Sequence, residues 1–282
     1  GGADWETIMY EGYGPNAPAI AALGAAHDLI VCVDCGTLSF DALAAATCDV
    51  IVLDHHQGIE TLPPAVAVVN PNRMDEDGSL GHLCAAGVVF LTLVQCNRLL
   101  RERGLPQPDL ICLLDLVALA TVADVAPLVG VNRAFVRQGL AIMARRERPG
   151  LVALADVARM DAAPSAFHLG FLLGPRINAG GRVGRADLGA LCLSCRDPRE
   201  AGRLAAELDM LNRDRRAIAG LSMAATSVLL LAEHNPGLYK AVGSFSGCAA
   251  TSTPIPWEFV NLTVSRGAPN VMAPEYIFGE RG

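Results

Sequence analysis

Two short apolar runs, each breaking off into acidic or imidazole side chains, constrain this chain more than any other feature. Leu29 to Val33 runs into Asp34-Cys35-Gly36, and Val50 to Leu53 runs into Asp54-His55-His56. Continuous apolar runs of this length suit strands of a parallel sheet, which helices cover on both faces. Ser39 to Thr47 between them reads as a crossover helix, and Asn16 to Ala26 as an Ala-rich helix ahead of them. A third strand, Ala65 to Val69, ends at the turn signal Asn70-Pro71. This rhythm predicts an α/β fold with a parallel sheet flanked by helices. In such a sheet ligands sit beyond the carboxyl ends of the strands, so Asp34, Asp54, His55 and His56 are expected around one crevice. Carboxylates with imidazoles suit Mn²⁺ or a comparable divalent ion without any thiolate. A lone Asp after a strand is more simply a cap for the next helix. The repeated pattern with its His pair is what favours a site.

After residue 80 the texture turns helical. Gly81 to Arg103, Leu110 to Ala120, Val131 to Arg146 and Ala186 to Leu193 read as helices. Pro198 to Arg216 reads as a long connecting helix, with Pro in its first turn. The apolar segment from Leu116 ends on Asp124, where a carboxylate is costly to bury unless paired or bound to metal. Asp124 is therefore expected as a third ligand, whereas Asp115 reads as a helix cap or a solvated residue. Gly174 to Gly184 reads as a Gly-rich loop in which Arg176 and Arg182, with Arg185 just beyond, offer planar forks matched to phosphate oxygens. The expected organisation is an α/β metal-binding domain over 1–130 and a helical, Arg-rich segment over 131–216. A divergent or truncated tail follows over 217–282.

Charge supports that division. The net charge of −7 argues against a nucleic-acid partner until it is resolved along the chain. Residues 131–216 hold 15 Arg against 9 acidic residues, while residues 1–130 hold 4 basic and 16 acidic ones. An acidic half beside an Arg-rich half suits a metal site next to a phosphate-binding surface. Apolar residues make up 52% of the chain, which excludes a disordered polypeptide. The longest apolar segment, Ala217 to Ala232, falls short of the roughly 20 residues a membrane-spanning helix needs. Gly1 to Tyr10 lacks the apolar core of a signal peptide. Nine cysteines without framework spacing favour reduced thiols and a cytoplasmic protein. Cys32/Cys35 and Cys192/Cys195 have zinc-like spacing, but no four ligands converge, and buried small hydrophobes are the better reading.

Taken in order, these segments resemble a known family. Asp-Cys-Gly, Asp-His-His, Asn70-Pro-Asn72 and Gly81-His-Leu-Cys-Ala-Ala-Gly-Val88 come first. Ala120-Thr-Val-Ala-Asp-Val-Ala-Pro-Leu128 and Gly174-Pro-Arg-Ile-Asn-Ala-Gly-Gly-Arg182 follow. Together, over roughly residues 10–216, they are similar to the RecJ-type single-strand exonucleases of the DHH phosphoesterase family. The resemblance implies 5′-to-3′ hydrolysis of single-stranded DNA in repair and recombination, at a two-metal Mn²⁺ or Mg²⁺ site that activates water. It implies that Asp34 bridges the metals, that His55 and Asp124 bind one of them, and that His56 touches the scissile phosphate. Asp54 would orient the histidines, and Arg176, Asn178 and Arg182 would hold the DNA backbone or its 5′ phosphate. Single-strand-binding protein or a helicase is an implied partner. The family's first acidic motif is expected upstream of Glu11 and is missing here. The similar string Asp75-Glu-Asp77-Gly78 reads as a solvated turn. A fragment, weak or inactive as a nuclease, is the resulting expectation. The alternatives are a DHH phosphoesterase acting on small nucleotides or short oligonucleotides, and a non-catalytic single-strand-binding remnant.

Overall fold

The structure, a computed structural model, describes residues 14–183, 186–214, 218–221 and 242–245. The chain divides into two compact units, Gly1–Asp209 and Met210–Gly282.

The first unit opens with helix α1 (Ala17–Ala26), whose cap is Asn16: its Oδ1 accepts the Ala19 N–H at 3.0 Å. Strand β1 (Leu29–Val33), the single-turn helix α2 (Phe40–Leu43), β2 (Asp49–Leu53) and β3 (Ala67–Val69) follow. The three strands form a parallel sheet in the order β1-β2-β3, with Val33 opposite Leu53 and Leu53 opposite Val69. The ladder continues one residue past the strands: the Asp34 N–H donates to Leu53 O and the Asp54 N–H to Val69 O, both at 3.0 Å. That shared register brings the ends of β1 and β2 side by side. One face of the sheet packs on α1 and α2 through Ile20, Ile30, Leu43, Val50, Val52 and Val68.

The strands differ from the expectation in one respect. Leu29, Val31 and Val33 are each about half exposed, so the described residues cover only one face of β1. An apolar residue at every position records a strand made to be covered twice.

The remainder of the unit is helical: α3 (Ala85–Glu102), a 3-10 turn (Ile111–Leu113), α4 (Leu114–Ala123), α5 (Gly130–Met143), α6 (Pro149–Val157), a π-helix (His168–Leu173), α7 (Gly174–Val183), α8 (Leu188–Ser194) and α9 (Pro198–Asp214). A second core lies among α3, α4 and α5, where Phe90 and Phe135 meet edge to face at 5.3 Å. Gly139 lets α5 approach α4 closely, since a Cβ there would lie 2.1 Å from Leu114 O. Asp197 caps α9 by accepting the Arg199 N–H at 3.0 Å, with Pro198 as its first residue.

Three expectations change. Over residues 174–183 the Gly-rich string is not a loop: α7 continues the π-helix through Gly174, where the lack of a side chain serves a close contact with Ala123 of α4. Helix α6 and the π-helix were not anticipated. Asp115 is not solvated: it is buried, accepts the Leu116 N–H in the first turn of α4 at 2.7 Å, and holds Arg148 in a two-pronged ion pair of 2.7 and 2.9 Å. The string Asp75 to Gly78 is an exposed turn, in which Asp77 accepts the Ser79 N–H.

In the second unit the structure describes two strands, β4 (Ile218–Leu221) and β5 (Val242–Phe245), paired in parallel from Ile218–Val242 to Leu221–Phe245.

Candidate metal centre

The turn after β1 is folded tightly. Asp34 takes a left-handed φ of 62°, which a short polar residue tolerates, and Gly36 follows at 114°, where a side chain would be strained. This turn lifts the Asp34 carboxylate over the end of β2, where it meets His55: Oδ1 lies 3.2 Å from Nε2. Asp124, at the C-cap of α4, approaches the same ring, with Oδ2 3.8 Å from Nδ1. Asp34, His55 and His56 each present a donor atom within 4.8 Å of the others.

His55 is fixed by its surroundings. Its Nδ1 sits 3.1 Å from the Leu83 carbonyl, an acceptor that orients the ring. With Nδ1 donating to Leu83, Nε2, which faces Asp34, is the nitrogen that would bind an ion. An octahedral ion with bonds of about 2.1 Å holds neighbouring ligand atoms about 3 Å apart, and the Asp34–His55 pair has that spacing. The donor set therefore fits a divalent ion.

Asp54 lies beneath this pair, 1% exposed. It accepts from the backbone N–H groups of Thr37 (3.0 Å), His55 (2.8 Å) and His56 (3.3 Å), and pairs with His56 Nδ1 at 2.7 Å. Burial alone would raise its pKa, but the hydrogen bonds from Thr37 and His56 hold it down at about 2. The same hydrogen bond raises the pKa of His56. Burial raises that of Asp34, with His55 and His56 opposing and Asp124 adding to the rise. Asn70 and Asn72 clamp the turn from the far side. Asn70 Nδ2 donates to His56 O and Thr37 Oγ1, both at 2.8 Å, and Asn72 Nδ2 donates to His55 O at 2.6 Å. Their roles were hidden in Asn-Pro-Asn, which announced only a turn.

A groove of about 500 Å³ opens beside these residues, with Asp34, Asp124 and Asn178 in its lining along the apolar side chains of α3 and α4. Asn178 lines the same groove as Asp34 and Asp124. Arg176 does not: it is 8% exposed, its Nε donates to Asp209 at 2.9 Å and its Nη1 to Leu172 O at 2.7 Å. It ties α7 to α9, and its expected contact with phosphate has no open path in this arrangement. The side chains of Arg182 and Arg185 lie outside the described residues.

Residues 3–121 match the model of the DHH family's N-terminal domain, the segment that carries both strand ends described above. The first unit thus carries a DHH-family N-terminal domain. The single-stranded-DNA-specific exonuclease RecJ of Dickeya dadantii is 44% identical over 229 residues, covering 76% of this chain and 40% of that protein. RecJ of Escherichia coli K12 is 42% identical over 220 residues, 74% of this chain and 38% of that one. A crystal structure of exonuclease RecJ bound to manganese superposes with a TM-score of 0.64 at 31% identity, over 83% of this chain and 65% of that one. RecJ of Thermus thermophilus in complex with Mn²⁺ gives 0.63 at 30% identity, over 81% and 38%. The matched region thus spans about 40% of the length of these curated relatives. A second model, described as "Putative esterase", matches residues 202–272, mostly beyond the first unit. A signal for that match was present but unread: Gly220-Leu-Ser222-Met-Ala224 stands at the end of β4.

Proposed function

We propose that the first unit is the metal-binding core of a RecJ-type nuclease that hydrolyses single-stranded DNA from the 5′ end, in DNA repair and recombination, with Mn²⁺ or Mg²⁺. The gathering of Asp34, His55 and His56 donor atoms within 4.8 Å, with Asp124 at the other edge of the His55 ring, carries this reading. Asp34, His55 and Asp124 would hold one divalent ion, which supplies Lewis acidity at a phosphoryl oxygen and a water of lowered pKa. The remaining work falls to the chain. Asp54 fixes the ring of His56 and keeps it protonated to higher pH, so His56, 58% exposed at its side chain, can donate to a phosphate oxygen. Asn70 and Asn72 hold the backbone of both histidines, limiting reorganisation when charge builds at the phosphate. Asn178, which lines the groove, would donate to a backbone phosphate lying in it. The side chain of Arg182 is a second phosphate contact in this reading, whereas Arg176 contributes by anchoring α7.

The described residues bring fewer carboxylates to the groove than a two-metal centre uses, and weak turnover is part of this proposal. Incubation of a 5′-phosphorylated single strand with Mn²⁺ tests both parts. Slow release of 5′ mononucleotides, abolished by Asp34→Ala and absent with duplex, is expected. Turnover that persists in Asp34→Ala would overturn the assignment.

A specific observation favours a second activity class for the second unit. β4 and β5 are parallel, and residues 222–241 between them are long enough for the crossover that parallel pairing demands. Ser222 follows directly on β4, two residues after Gly220, as in the nucleophile elbow of α/β hydrolases, with Ala224 in place of the last glycine. We infer a hydrolase-derived segment with Ser222 at the nucleophile position. Labelling by a fluorophosphonate that Ser222→Ala abolishes would support it; equal labelling of both proteins would refute it.

A further inference from the structure

The π-helix (His168–Leu173) has three distinct faces. Leu169 and Leu173 are fully buried. Gly170 and Gly174 lie against the end of α4: a Cβ on Gly170 would meet Val122 Cγ1 at 3.4 Å, and one on Gly174 would meet Ala123 Cβ at 3.3 Å. Val122 and Ala123 are the two residues before Asp124, so this helix is pinned beside the metal centre. The third face carries Phe167 and Phe171, 60% and 71% exposed. Their rings are stacked with centroids 5.2 Å apart and planes 27° from parallel, and His168 meets Phe167 edge-on. Isolated exposed apolar side chains are ordinary, but a stacked and exposed aromatic pair beside a site is a surface awaiting a partner.

We propose that Phe167 and Phe171 form a stacking platform for unpaired bases of a single strand whose backbone enters the Asp34–Asp124 groove. The inference rests on the nuclease reading and adds how single strands are told from duplex. Flat aromatic faces accept any base that is free of its neighbours, whereas the bases of a duplex are already stacked on both sides. The charge of the surrounding segment fits this occupant: residues 131–216 carry 15 Arg and 9 acidic residues, an excess suited to backbone phosphates. Residues four apart share a helix face, which sets Phe167 beside Phe171 while Gly170 and Gly174 lie on α4.

Fluorescence anisotropy in low salt with chelator, which separates binding from turnover, tests the proposal on an oligothymidylate and on an abasic strand of equal length. Phe171→Ala is expected to weaken oligothymidylate binding roughly tenfold and leave abasic binding unchanged. Phe171→Trp is expected to restore it, and all variants should share one melting temperature. Equal affinity of parent and Phe171→Ala for oligothymidylate would overturn the platform, as would an equal loss on both strands. A dimer in sedimentation that Phe171→Ala dissolves, without an effect on DNA, would assign the pair to a second copy of the chain instead. If the parent binds neither strand, the single-strand reading of the whole site fails first.

Discussion

Replacing Asp54 by Asn changes one oxygen to an amide and tests how the His-His turn is held. The carboxylate accepts from three backbone N–H groups and from His56 Nδ1 while almost wholly buried. Asn offers a single acceptor oxygen and turns an NH₂ toward the remaining donor. His55 N, His56 N and His56 Nδ1 share Oδ1, so an Asn oxygen kept there leaves the Thr37 N–H facing the NH₂ without an acceptor, and a loss of about 2 kcal/mol is expected. The pH dependence gives an independent sign. The Asp54 pKa is depressed from 3.8 to about 2 in the fold, a gain of about 2 kcal/mol when the group is ionised in both states. That stabilisation is complete above pH 4 and is lost as pH falls through 2. Urea unfolding of parent and Asp54→Asn from pH 6 to pH 2 measures both effects. The parent should lose stability over the lower part of that range, and the difference between the two proteins should shrink there. A variant within 1 kcal/mol of the parent at pH 6, or a difference that does not narrow in acid, refutes the role given to Asp54.

Three further outcomes follow from the packing. Gly139→Ala places a methyl 2.1 Å from Leu114 O and 2.4 Å from Ala118 Cβ, and should cost about 3 kcal/mol by thermal or urea unfolding. Val125 is 87% exposed and sits at a left-handed φ of 56° beside Asp124; Val125→Gly should stabilise the fold by about 1 kcal/mol in the same assay. Arg176→Ala opens a buried ion pair and should destabilise by about 3 kcal/mol, with Arg176→Lys only partly restoring it because the second donation, to Leu172 O, is lost. A merely phosphate-binding Arg176 would leave stability unchanged and alter only DNA affinity.

The sheet and the acidic ends of its strands were legible because apolar runs that break off at Asp leave few places for the charge to go. Asp34, Asp54, His55, His56 and Asp124 all emerged from that pattern, and the structure brings them to one end of the sheet. Arg176 shows the limit. An Arg in a Gly-rich string carries the same letters whether it faces phosphate or Asp209, which is 33 residues away in sequence. The string itself was read as a loop because glycine's low helix propensity was weighed without the packing that requires small residues, at Gly174 against Ala123 and at Gly189 against Ile177. The exposed face of β1 was illegible for a related reason: sequence shows that a strand can be covered on both sides, not what covers it. The parallel pairing of β4 with β5 was illegible because strands of four residues do not stand out from the sequence around them.

Calorimetric titration of the chain with Mn²⁺, repeated on Asp34→Ala, His55→Ala and Asp124→Ala, reaches the central claim most directly. One ion per chain is expected, with binding lost in His55→Ala and weakened in each Asp variant, while unfolding transitions stay cooperative. Mn²⁺ binding that is unaffected by His55→Ala, or no binding by the folded parent, would contradict a metal centre built on Asp34, His55 and Asp124.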